Sequence, residues 1–152
     1  MGKGKTIGRA VFLCSVFLCL LGKVTSQSAY YDPCTILPRG SAEDGTVLDV
    51  FSNNTCTNGS LWWNYPRGSL RLHFRSSDAT KQFKVCLGVD IGASFRSIFD
   101  VTNGGHRPVP VPQERGTESC TDTVASEIIL LIKSPTYLTY MTLHKYRLVF
   151  QY

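Results

Sequence analysis

The chain has 152 residues, 43% of them hydrophobic and 18% charged, with 16 Lys and Arg against 11 Asp and Glu. Four of the cations (Lys3, Lys5, Arg9 and Lys23) precede Gln27 in a stretch without acids, which leaves 12 cations against 11 acids in the remainder. The basic balance therefore belongs to the amino terminus, and net charge makes no case for a nucleic-acid or polyanion partner.

Lys3, Lys5 and Arg9 are followed by an apolar run over residues 10–21 and then by Val24-Thr25-Ser26. Basic, apolar and small-residue regions in that order predict a secretory signal peptide over residues 1–26, cut before Gln27. The apolar run is too short for a spanning helix, which needs about 20 residues. The expectation is a secreted, extracellular domain over residues 27–152 with no membrane span. Cys14 and Cys19 leave with the leader, and Cys34, Cys56, Cys86 and Cys120 remain. An even number in an oxidising compartment predicts two disulfides, with three connectivities open. No CxxC or paired-His spacing occurs among them, so neither a metal nor another cofactor is expected.

In chain order, strands are predicted at Thr46–Phe51, Ser60–Asn64, Ser69–Arg75, Gln82–Val89, Ser94–Val101, Ile128–Ile132, Thr136–Leu143 and Lys145–Tyr152. The clearest is Ser69–Arg75, where Leu70, Leu72 and Phe74 alternate with Arg71, His73 and Arg75 to give one oily and one basic face. Ile128–Ile132 is apolar throughout and reads as a strand buried on both faces, or else as a short helical turn, since Ala125 to Leu131 holds no breaker. Tyr65-Pro66-Arg67-Gly68 fits a type I turn between strands, and Asn103-Gly104-Gly105 is a second turn signal. Residues 105–116 carry alternating prolines, which forbid a central strand and predict an exposed connection. Short strands with regular turns predict an all-β fold, an antiparallel sandwich or barrel.

Two glycosylation sequons begin at Asn53 and Asn58, in a polar stretch around Cys56 that is expected to face solvent. Adjacent strand residues point to opposite faces, so one of Trp62 and Trp63 should enter the core and the other should face outward. Large aromatics usually find cover, so both rings are expected to be covered, the outer one by a loop. If the outer ring is instead open, Trp62 with Arg67 and Arg71 forms the candidate partner-binding set.

Catalytic signals are poor. His73, His106 and His144 fall on a strand face, in a loop and at a strand start, none paired at ligand spacing. Gly92-Ala93-Ser94-Phe95-Arg96 opens like a nucleophile elbow but lacks the closing Gly. No enzymatic activity is expected.

Cys56 is followed by Trp63-Asn64-Tyr65-Pro66-Arg67-Gly68-Ser69-Leu70-Arg71-Leu72, then by Val85-Cys86-Leu87, Cys120, Ser134-Pro135 and a closing Tyr146-Arg147-Leu148-Val149-Phe150. In order and spacing this resembles the amino-terminal domain of the meteorin and meteorin-like family. The resemblance implies a CUB-like β-sandwich with sequential bridges, Cys34–Cys56 and Cys86–Cys120, in a secreted signalling protein. The sequence departs from the family where Thr35-Ile36 follows Cys34 and where the family's second, netrin-like domain would begin. Many CUB domains hold calcium on acidic side chains; Asp90 lies near one such position, but an ordinary solvated Asp is expected there.

The functional expectation is an extracellular binding protein that acts on a protein receptor or another extracellular protein. The alternative is a secreted toxin or defence effector built on the same domain, since fold alone does not decide function.

Overall fold

The computed structural model describes residues 32–39 and 45–152. The signal peptide expected over 1–26, and the residues just after it, lie outside that range. Residues Asp32–Tyr152 cluster as one compact unit.

Ten strands run in chain order: β1 (Thr35–Ile36), β2 (Val47–Phe51), β3 (Asn58–Asn64), β4 (Ser69–Arg75), β5 (Phe83–Ile91), β6 (Ser97–Asp100), β7 (Arg107–Val109), β8 (Glu118–Cys120), β9 (Glu127–Lys133) and β10 (Met141–Phe150). They form two five-stranded sheets, ordered β1-β3-β10-β5-β8 and β2-β4-β9-β6-β7. The fold is an all-β sandwich, as the alternating sequence predicts. The first sheet contributes Leu61, Trp63, Phe83, Leu87 and Tyr146 to the core, and the second contributes Leu70, Leu72, Phe74, Ile128 and Leu130. The layers meet directly where Phe74 packs on Tyr146 at 5.2 Å between ring centroids.

Pairing is not antiparallel throughout. β1 runs parallel to β3, and β2 runs parallel to β4. In each case one strand of the opposite sheet intervenes in sequence, so the chain crosses the sandwich and returns in its original direction. Both parallel strands are edges.

Three departures from the predicted strands have clear causes. Thr136–Leu143 is not one strand: residues 134–140 form a loop, and β10 begins only at Met141. Ile128–Ile132 does lie in a strand, yet only Ile128, Leu130 and Ile132 are buried; Ile129 and Leu131 face outward and are half-covered. The proline-spaced stretch contains a short strand, β7, which includes Pro108 and sits at the sheet edge, where a missing donor costs no ladder bond.

The bridges are Cys34–Cys56 and Cys86–Cys120, the pairing that the resemblance implies. Cys86 and Cys120 stand directly opposite each other on β5 and β8. Their sequence separations are 22 and 34 residues. Loops of that length are each worth about 3–4 kcal/mol of stabilisation. No helix among the described residues is long and apolar enough to cross a membrane.

Candidate functional site: an aromatic loop end

The connection at 65–68 joins β3 of one sheet to β4 of the other. It is a bend, at the place where a type I turn is predicted. Its backbone groups pair with the 134–140 loop: Tyr65 N–H donates to the Tyr140 carbonyl at 2.8 Å, and Ser134 N–H donates to the Gly68 carbonyl at 3.0 Å. Clamping the bend this way holds Tyr65 at φ 47°, the only non-glycine positive φ among the described residues. A side chain in the left-handed region costs about 1–2 kcal/mol, and such strain tends to be kept where a ring must be aimed.

The ring so aimed meets a second exposed ring. Tyr65 packs edge-on against Tyr140 at 5.9 Å. Tyr65 is 59% exposed, Tyr137 65%, Leu138 76% and Tyr140 77%. On the adjoining sheet, Trp62 and Ile91 both stand opposite Leu143 in register, so the three share a side. Ile91 gains that position from a bulge in the β5–β10 pairing, between Leu143 and His144. Gly92 follows at φ +87°, and a Cβ there would meet the Met141 carbonyl oxygen. Only glycine lets β5 end so close to β10.

Trp63 is fully buried whereas Trp62 is 38% exposed, which corrects the expectation that both rings are covered.

Beneath the patch lies an unusual piece of core. Phe95 stacks on His144 at 3.6 Å, with Trp63 at 6.4 Å from Phe95. Trp63 Nε1, Thr142 Oγ1 and both ring nitrogens of His144 are buried without a well-formed hydrogen bond. Burial pushes the His144 imidazole down to about 4, with the backbone at Ala93 and Gly88 offsetting part of the shift. The ring is therefore neutral at physiological pH, and it lies well inside β10, not at the strand start expected.

Of the three candidate partner-binding residues, two are exposed at the β3 end of the sandwich. Trp62 belongs to the patch and Arg67 lies exposed in the bend beside Tyr65. Arg71 does not join them: it sits on the outer face of the second sheet, paired with Asp49 at 3.3 Å. The basic face predicted for Ser69–Arg75 is in fact neutralised by neighbouring strands. Asp49 Oδ1 lies 3.0 Å from His73 Nε2, and Glu127 pairs with Arg75 at 2.8 Å. The hydrogen bond to His73 is the main cause holding the Asp49 carboxyl below its usual range, and the bond to Arg75 does the same for Glu127. His73 touches these carboxylates through opposite ring nitrogens, so the three groups do not converge as metal ligands would.

Asp90 is half-buried and spanned by Arg115 Nε at 3.4 Å and Lys145 Nζ at 3.3 Å, so it is not the solvated Asp expected. Among the described residues no group of three His, Cys, Asp or Glu is placed to hold a metal ion. The Ser94 hydroxyl donates to the Pro112 carbonyl at 2.8 Å and so ties two loops together.

Asn53 and Asn58 are both exposed. Asn53 Oδ1 accepts from the N–H and hydroxyl of Thr55 in a tight Asx turn, and Asn58 opens β3. Asn58 and Trp62 lie toward opposite ends of the strand, and the Tyr65 bend is about 20 Å from Asn58. Sugars at these positions would leave the aromatic end uncovered.

Tyr137, Leu138 and Tyr140 escape a sequence reading because a Tyr- and Leu-bearing stretch has the composition of a strand. The one signal against it is Ser134-Pro135, which interrupts β pairing just ahead of them. No protein-family model matches the chain, and no curated protein matches it in sequence.

Proposed function

We propose that this chain is a secreted extracellular binding protein that engages a protein receptor, or another extracellular protein, through the aromatic loop end. The observation that carries the reading is the exposure of Trp62, Tyr65, Ile91, Tyr137, Leu138 and Tyr140, with Tyr65 packed on Tyr140 and with Trp62 and Ile91 flanking Leu143. Soluble domains seldom leave so many large side chains together in water unless the surface is used. Trp, Tyr and Arg are also the side chains that dominate binding energy in protein interfaces. Two further points support it: the disulfides suit an oxidising, extracellular setting, and the sequons stand away from the patch. The likeness to the first domain of meteorin-type factors adds that the partner is a signalling receptor.

Leu138 and Tyr140 lie outside the core, so the substitutions Leu138→Asp and Tyr140→Ser leave the unfolding midpoint unchanged. Together they are expected to weaken attachment of the labelled protein to cells of its own organism by at least 2 kcal/mol, roughly 30-fold. Attachment equal to that of the parent protein would remove the patch from consideration.

A further inference from the structure

We infer that Asn103 is a site of spontaneous covalent modification, at which the side-chain amide is lost through a cyclic imide formed with the backbone of Gly104. The amide nitrogen of Gly104 attacks the side-chain carbonyl carbon of Asn103. A new C–N bond closes a succinimide ring, and the side-chain nitrogen leaves as ammonia. Water then opens the ring at either carbonyl. One opening gives Asp and the other gives isoaspartate, whose main chain runs through the former side chain. Water is the only co-reactant, and nothing is oxidised or reduced.

The chain holds two Asn-Gly pairs, Asn58-Gly59 and Asn103-Gly104. In both, glycine presents the attacking nitrogen with no side chain to block the approach. The fold separates them.

Asn103 is exposed in the connection between β6 and β7, and the exposed Gly104 and Gly105 follow it. A Cβ built on either glycine meets nothing within 4 Å, so the ring has room to form. Gly104 already stands at φ +74°, outside the extended region. Among the described residues the Asn103 side-chain amide has no hydrogen-bond partner. The attacking nitrogen is held by a single turn bond, from Gly104 N–H to the Val101 carbonyl at 3.1 Å, in a bend that opens without disturbing either sheet.

Asn58-Gly59 lies inside β3 instead, with Asn58 opposite Arg147 and Gly59 opposite Tyr146 on β10. A Cβ on Gly59 would run into the Cys34 carbonyl oxygen and the Tyr146 ring, so that space is filled. Ring closure needs the Asn backbone to rotate out of the extended conformation. At Asn58 that rotation would break the pairing of β3 with β10.

The change adds a negative charge at a defined place. Asn103 lines a recess of about 400 Å³ whose wall already holds Asp100, His106 and Arg107. β6 runs from Ser97, opposite Lys133, to Asp100, opposite Leu130. The modified bend therefore follows the end of β6 remote from the 134–140 loop, and the proposed binding end is left untouched.

The test is incubation of the secreted protein at physiological pH and temperature, made in a bacterial periplasm so that disulfides form and Asn58 carries no glycan. Peptide mapping in mild acid reads the replacement of NH2 by OH at each Asn. Asn103 is expected to convert at least about tenfold faster than Asn58, which reacts only from locally opened chain, and to give isoaspartate together with Asp. In the reduced, urea-unfolded chain the two pairs should convert at similar rates, which traces the difference to the fold. An Asn103 that persists as long as Asn58 in the folded protein, the same rate difference in the unfolded chain, or Asp without isoaspartate would overturn the inference.

Discussion

Trp63→Ala is expected to lower the unfolding free energy by about 3–5 kcal/mol, whereas Trp62→Ala should cost about 1 kcal/mol or less. The two residues are adjacent and chemically identical, so the difference isolates position. Trp63 is fully buried between the sheets, near Phe95, and truncation leaves a cavity that well-ordered neighbours cannot fill. Trp62 already stands partly in water, and its loss mainly uncovers Leu143. Chemical denaturation of the two variants reads the contrast directly. Equal destabilisation would mean that the outer ring is covered in solution, and the aromatic patch would lose its centre.

The second large effect is acid sensitivity traced to His144. Its folded-state pKa lies at about 4 against an ordinary value of 6.5. Between those pH values the unfolded chain takes up a proton that the native state refuses, so stability rises with pH across the window. As pH falls from 6.5 toward 4 the protein should lose up to about 3 kcal/mol from this group. The depressed carboxyls Asp49, Glu118 and Glu127 act lower, because their unperturbed values are 3.8 to 4.5. His144→Phe keeps the stack on Phe95, removes two buried ring nitrogens, and should flatten the upper part of the profile without loss of stability at neutral pH. A variant that keeps the same slope between pH 6.5 and 4.5 would show that His144 is not its source.

Residues with a strict period declare their place in the sequence. Leu70, Leu72 and Phe74 fix β4 to its terminal residues, because one uninterrupted face meets the core. Phe83, Val85 and Leu87 place β5 as well, though it runs Phe83–Ile91 where Gln82–Val89 is predicted. The short edge strands β1 and β8 carry no such signal, since each is defined by backbone pairing with a longer neighbour. Ile128–Ile132 shows the limit of composition: an apolar run reveals a strand but not whether its second face is covered.

The candidate site was legible in part for the same reason. Trp62 and Arg67 stand out because Trp and a Pro-Gly bend are rare and positional. Arg71 was misplaced because sequence distance from the bend hides a change of sheet: β3 and β4 belong to different layers. Tyr137, Leu138 and Tyr140 were hidden because nothing local distinguishes a Tyr in a strand from one on a loop. Their exposure follows from the backbone bonds that tie Tyr65 to Tyr140 and Ser134 to Gly68, which are non-local.

On the proposed reading, the aromatic end is open in the free protein and closed by its partner. Hydroxyl-radical footprinting of the secreted protein, free and bound to cells, measures this at each ring. Trp62, Tyr65, Tyr137 and Tyr140 are expected to be labelled in the free protein and protected on cells, with Trp63, Phe95 and Tyr146 silent in both. Equal labelling of those four rings in the free and bound states would contradict it and move the binding surface elsewhere on the sandwich.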